Sequence, residues 1–464
     1  MRYALPVTTG VPQVLDYDVE AVPRRRLTLF DTTCIIVGII IGAGFFESPP
    51  LIAASAGSVP LLLGLWVAGG FVAFVGALCY AELAGAYPKD GGEYVFISRA
   101  FGDRLGFLYA WAWFWVVRPG NLGAMAYVFA RYANELLPLP LDRYALAPWA
   151  AGSLLVLTVV NVLGVRTGKS VQNLLTVAKV AGLVAVFAVA LLVVPSKGGL
   201  SDPPVAPPTA SGVYLASILI MWVYGGWNDM SYVAAEVRDP RRNILRALVL
   251  GTLAVVAIYL VGNYAFVRAL GFEGFAKSGA VAADVMRLRF GAAGSRAISA
   301  LVCVSCLGAL NGMILTGARI YYAVGNDHPL YAWLGKWDAR RDTPARSLWL
   351  QAVATLALVA GLGLDQAAFE RMVVFTEAVF WSFLLLAGLS LFVLRRREPD
   401  APRPYRVAGY PLTPALFCAA SLFMVYASAR YAWSQRWGPA LWAIVLTGAG
   451  VVAGFFSVRR ERDA

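Results

Sequence analysis

The sequence predicts an all-α integral membrane protein of twelve transmembrane helices. Three observations carry this: an apolar composition, apolar runs of spanning length along nearly the whole chain, and basic residues gathered between alternate runs. Of 464 residues, 59% are hydrophobic and 14% charged, where a soluble domain carries about 25% charge. No stretch is left for a separate soluble unit. The expected organisation is one transporter-like membrane domain over 27–458, between a cytoplasmic N-terminal segment, 1–26, and a cytoplasmic tail, 459–464.

A membrane helix needs about 20 mostly apolar residues to cross the hydrocarbon core. By that measure spans fall near 27–54, 59–81, 105–137, 144–165, 171–195 and 213–235. A second set falls near 247–267, 297–322, 347–364, 372–394, 411–429 and 437–458. An even number returns the C-terminus to the side of the N-terminus, and loop charge tests that topology separately. Arg24, Arg25 and Arg26 precede the first span, with no apolar core of the kind a cleaved signal needs. Arg166 and Lys169, then Arg238, Arg241, Arg242 and Arg246, then Lys336, Arg340, Arg341 and Arg346 lie on the same predicted inner side. So do Arg395, Arg396, Arg397, Arg403 and Arg406, and finally Arg459, Arg460 and Arg462. The outer segment after the seventh span runs against the rule, with Arg268, Lys277, Arg287, Arg289 and Arg296; long loops translocate despite charge.

The formal net charge of +12 resides mostly in these short loops, so it marks topology and excludes nucleic acid as the partner. Cys34, Cys79, Cys303, Cys306 and Cys418 all lie in or beside apolar runs, as small buried hydrophobes do. Cys303-x-x-Cys306 has no second pair and no neighbouring histidine, so no metal site is expected. His328, in a predicted cytoplasmic loop, is expected at the surface. No phosphate loop, nucleophile elbow or acid–base constellation is present, which disfavours an enzyme; catalytic residues and cofactors are expected to be none.

Two spans carry glycine interruptions at mid-depth. The first contains Gly42-Ala43-Gly44, and the sixth contains Trp222-Val223-Tyr224-Gly225-Gly226-Trp227-Asn228. Glycine has the widest backbone freedom and, after proline, the weakest helix propensity. A proline-bearing connector, 196–211, separates spans one to five from spans six to ten, so each candidate half begins with a broken helix. Such interruptions at corresponding positions of two halves point to a binding site near the bilayer midplane. Unwound backbone leaves N–H and C=O groups that lipid cannot satisfy and a zwitterion can. Its carboxylate would accept from Gly42, Ala43 and Gly44 at the positive end of a half-helix; its ammonium would donate to carbonyls around Ile40, Trp222 and Val223. Close helix packing is the plainer role for such glycines, and is the expectation for Gly450 and Gly454.

With these residues in place, the chain resembles the amino acid–polyamine–organocation superfamily, and most of all the L-type transporters that form light chains of heteromeric amino acid transporters. Gly42-Ala43-Gly44-Phe45-Phe46 is similar to the family's Gly-Ser-Gly-Ile-Phe element, and Tyr224-Gly225-Gly226-Trp227-Asn228 to its sixth-helix signature. Gly76-Ala77-Leu78-Cys79-Tyr80-Ala81-Glu82-Leu83, Arg118-Pro119 and Arg403-Pro404-Tyr405-Arg406-Val407 extend the likeness from residue 27 to the eleventh span. The resemblance implies five-plus-five inverted repeats and amino acid transport at a plasma membrane, often by exchange. It further implies that Trp222 gates the substrate, that Trp381 lines the side-chain pocket, and that Asn228 and Gly225 stand near the substrate. Ala43 in place of the usual serine and an acidic Asp229 after Asn228 are departures that bear on substrate choice. The loop 138–148 has no cysteine, so no disulfide-linked heavy chain is expected.

Lys179 stands amid apolar turns of the fifth span, where an ammonium costs at least about 2.5 kcal/mol. In the resemblance, such a lysine occupies the space that sodium fills in sodium-coupled relatives, with Asn311 of the eighth span as its candidate partner. The expected function is sodium-independent amino acid exchange. The alternatives are proton-coupled symport and a transport-inactive amino acid sensor.

Overall fold

The computed structural model describes residues 25–42, 44–89, 91–141, 145–362, 368–434 and 438–456. Ala43, nearly all of segment 1–26 and the tail 459–464 therefore lie outside the described residues. Every segment expected to span falls on helix. The first is a bent pair, α1 (Leu29–Ile40) and α2 (Gly44–Ala56), meeting at 44°. After α3 (Val59–Ala86) comes a short α4 (Glu93–Phe101). The third segment is α5 (Asp103–Ala112), a π-helical turn (Trp113–Val117) and α6 (Arg118–Leu136). Next come α7 (Leu146–Val162), α8 (Val165–Ala188) and α9 (Ala210–Tyr224), the last continued by a 3-10 helix, Trp227–Glu236. Then follow α10 (Pro240–Leu270), α11 (Phe272–Ala276), α12 (Val281–Asp327), α13 (Ala345–Leu362), α14 (Ala368–Arg397), α15 (Leu412–Ser434) and α16 (Gly438–Phe456). Among the described residues, seven helices are long and apolar enough to cross a bilayer, and the bent pair makes an eighth. α7, α13 and α16 are shorter apolar helices.

Local chemistry explains how the elements begin and which way they face. Thr28 caps α1: its Oγ1 accepts from Asp31 N–H at 3.2 Å, and the Asp31 carboxylate accepts in return from Thr28 N–H at 2.9 Å. A cap of this kind contributes about 1 kcal/mol. The same carboxylate holds Lys169 (2.9 Å) and Asn173 (2.7 Å) at the start of α8, fixing the two helices to each other. α8 turns Leu174, Val177 and Val184 outward and buries Gln172, Thr176 and Lys179. An apolar exterior around a polar inner face suits lipid as the solvent. At the centre, Phe45 of α2 stacks on Tyr259 of α10 at 4.5 Å and meets Trp66 of α3 edge-on. Gly450 and Gly454 of α16 do serve packing, against Trp111 and Phe107.

Two expectations change. His328 is buried, because the chain folds back through a 3-10 turn, Pro329–Tyr331, and packs the imidazole against Phe107 at 5.2 Å. The charge-rich segment after the seventh span is folded as α11 and the first part of α12, which breaks at Gly291 (φ +58°). Its charges are largely satisfied locally: Lys277 pairs with Glu273, Arg287 with Asp284, and Arg268 donates to the carbonyls of Ala190 and Val194.

Candidate functional site

The two helix breaks meet. α1 stops at Ile40, and the Gly42 N–H turns back to the Ile40 carbonyl at 2.7 Å. α9 stops at Tyr224; Gly225 is extended and Gly226 takes φ +109°, a conformation that L side chains rarely adopt. A Cβ on Gly226 would lie 2.5 Å from Ile39, and one on Gly44 would lie 2.4 Å from the Trp222 ring and 3.0 Å from Val223. Both glycines are therefore required by close approach as well as by backbone shape. The Tyr259 hydroxyl of α10 joins the breaks, 2.8 Å from the Ile40 oxygen and 3.1 Å from that of Val223. Tyr259 was not legible as a site residue; its only sequence signal is a hydroxyl in an apolar span.

Around the breaks lies a cavity of about 60 Å³. Ile40, Gly42 and Gly44 line it from the first span, and Trp222, Val223, Gly225 and Asn228 from the sixth. Ala43 is outside the described residues. The expected cradle needs adjustment, because the Gly42 N–H is already engaged; the groups that suit a carboxylate are those of Gly44 and the first turn of α2, which have no intrahelical acceptor by geometry. The Ile40 oxygen likewise has two donors, Gly42 N–H and Tyr259. The Trp222 oxygen takes one, from Gly225 N–H, and the Val223 oxygen lies 3.1 Å from the Tyr259 hydroxyl, whose one proton goes to the nearer Ile40 oxygen; both therefore have capacity for a further donor.

Two sequence-derived placements are corrected. Trp381 does not line the cavity: its indole donates to Glu377 at 2.8 Å, while Glu377 and Phe380 face the space. Lys179 does not meet Asn311. Its Nζ donates to the Gly38 carbonyl at 2.7 Å, tying α8 to α1, and its approach to α12 is at Gly308. Asn311 instead bonds Asn161, Gly168 and Gln172. One residue turns a helix by about 100°, so neighbouring positions present different faces.

Beside the breaks, two charged side chains pair with each other. Arg118, just after the π turn, donates to Asp229 at 2.9 Å, and the Thr316 hydroxyl reaches the same oxygen at 2.6 Å. The guanidinium lies 5.6 Å over Trp113 and 5.5 Å over Tyr232. Glu93, missed by sequence reasoning, is fully buried and accepts from Tyr80 (2.9 Å), Tyr109 (3.2 Å) and Asn228 (3.0 Å). Gly91 and Gly92, both at positive φ, turn α4 inward to place it. Gly-Gly-Glu after an apolar span was the signal available.

The face where α1 begins is clamped. Leu27 pairs with Val237 as a β-bridge, Arg26 meets Asp342 at 2.6 Å, and Arg319 grips Glu236 with two contacts of 2.6 and 3.2 Å. Among the described residues no cluster of His, Cys, Asp or Glu forms a metal site.

Comparison with known proteins gives consistent results. The family model described as "Amino acid permease" matches residues 27–452. The b(0,+)-type amino acid transporter 1 of Mus musculus is 30% identical over 412 residues, covering 87% of this chain and 82% of the relative. The large neutral amino acids transporter small subunit 2 of Homo sapiens is 33% identical over 407 residues, covering 85% of this chain and 75% of the relative.

Proposed function

Because the chain belongs to the amino acid permease family, in its L-type branch, we propose that it is a secondary transporter that carries amino acids across the plasma membrane by alternating access. The observation that carries this reading is the meeting of two glycine-broken helices around one cavity. The substrate carboxylate docks on the first turn of α2, where free N–H groups and the helix dipole favour an anion. The α-ammonium donates to the Val223 and Trp222 carbonyls. Trp222, packed against Gly44, closes the site on its outer side.

In this reading the chain crosses the bilayer twelve times, with five-plus-five repeats and both termini in the cytoplasm. The Leu27, Arg26 and Arg319 contacts then form the closed cytoplasmic gate. Lys179 holds its ammonium against the broken first helix where a sodium ion would otherwise supply charge, so transport is exchange without sodium. With no cysteine in 138–148, no heavy chain is bound by a disulfide.

The test is an uptake screen of the amino acids in proteoliposomes, with and without internal substrate, sodium and a pH gradient. Uptake stimulated by internal amino acid and indifferent to sodium supports exchange. Binding without counterflow would mark a sensor, and uptake driven only by a pH gradient a symporter.

A further inference from the structure

Three ionisable side chains line the cavity: Arg118, Asp229 and Glu377. Arg118 and Asp229 neutralise each other at 2.9 Å. Glu377, 3% exposed, has a single hydrogen bond among the described residues, from the Trp381 indole at 2.8 Å. Among the described residues, Asp327 accepts from the Tyr94 hydroxyl away from the cavity, and six further buried carboxylates are more fully partnered. Asp31, Glu82, Asp229, Glu236 and Asp342 each meet a lysine or arginine, and Glu93 takes three neutral donors. A buried carboxylate with one neutral donor is under-compensated, and in a cavity of low dielectric the deficit favours one positive charge beside it.

A zwitterion adds no net charge to the cavity. An amino acid whose side chain ends in an ammonium or guanidinium adds one. The α-groups of the substrate are accommodated at the two helix breaks, which leaves the side chain to answer Glu377. We propose that Glu377 is a specificity-determining residue for a cationic side chain, so that the cargo class is amino acids bearing an ammonium or guanidinium side chain; this rests on the amino acid transport reading above. Trp113 and Phe380 line the same cavity and supply apolar surface for the alkyl stem.

The experiment measures initial uptake of labelled lysine and labelled leucine by wild type, Glu377→Gln and Glu377→Asp in proteoliposomes at one pH, with internal pH recorded. Wild type is expected to carry lysine, with arginine competing. The lysine-to-leucine ratio is expected to fall at least tenfold in Glu377→Gln and to fall less in Glu377→Asp. Wild type that carries leucine and not lysine overturns the proposal. So does an unchanged ratio in Glu377→Gln, or leucine uptake that acidifies the interior only while Glu377 is present, which would assign the positive charge to a proton. If Glu377→Gln carries neither, Glu377→Asp decides: a lowered ratio supports the proposal and an unchanged one overturns it. Wild type that carries no amino acid of any class instead removes the transport reading beneath it.

Discussion

Gly44 has a Cβ vector that points into the Trp222 ring, so the smallest side chain there already collides with that ring. Valine adds a branch and stiffens the turn, and overpacking of this kind costs about 1–3 kcal/mol. Gly44→Val is expected to abolish substrate-induced thermal stabilisation while membrane insertion, which depends on apolar length, is retained. Normal ligand stabilisation in the variant would place the substrate elsewhere. Trp222→Ala removes the ring and leaves a void over the breaks; turnover is expected to fall at least tenfold at unchanged abundance, measured as initial uptake per transporter. Unimpaired uptake would reduce Trp222 to packing. At Lys179 the expectation concerns the medium: replacing external sodium by choline at constant pH leaves initial uptake unchanged, and strong sodium dependence would refute the role given to its ammonium.

Between elements, the buried pair Arg319–Glu236 joins α12 to the 3-10 half of the sixth span, with both side chains 1% exposed. Removing one partner of a buried pair costs about 3–5 kcal/mol because the other charge is left unpaired, whereas removing both costs much less. Arg319→Ala should therefore lower the thermal midpoint in detergent sharply, and Arg319→Ala with Glu236→Ala should recover part of the loss. Additive losses would mean that the two groups stabilise the fold separately. Element scale is also where the sequence was most and least informative. Helix positions and both breaks could be read from apolar length and glycine pairs, which are local signals. The depth and facing of single residues on α12 and α14 could not: Gly308, where Lys179 approaches, stands about one turn before Asn311, and Phe380, which lines the cavity, is turned about 100° from Trp381. Glu93 escaped because it sits on a short helix between spans, brought inward by two positive-φ glycines.

Over the whole molecule, an apolar exterior encloses a mostly apolar core, within which Arg118, Asp229 and Glu377 lie by the two breaks and Arg319, Glu236 and Asp342 at the clamped face. That arrangement follows from the solvent: lipid cannot satisfy unpaired backbone, so interrupted helices persist only where they are buried in protein or line a cavity. The central claim is that this site holds an amino acid by its α-carboxylate at the first turn of α2. Its most direct test is competition: proteoliposomes taking up a labelled amino acid are challenged with the unlabelled parent and with the same molecule converted to its α-amide. The parent should inhibit at its transport concentration, and the amide, lacking the negative charge that the helix end favours, should need at least a tenfold higher concentration. Equal inhibition by the two would contradict the account.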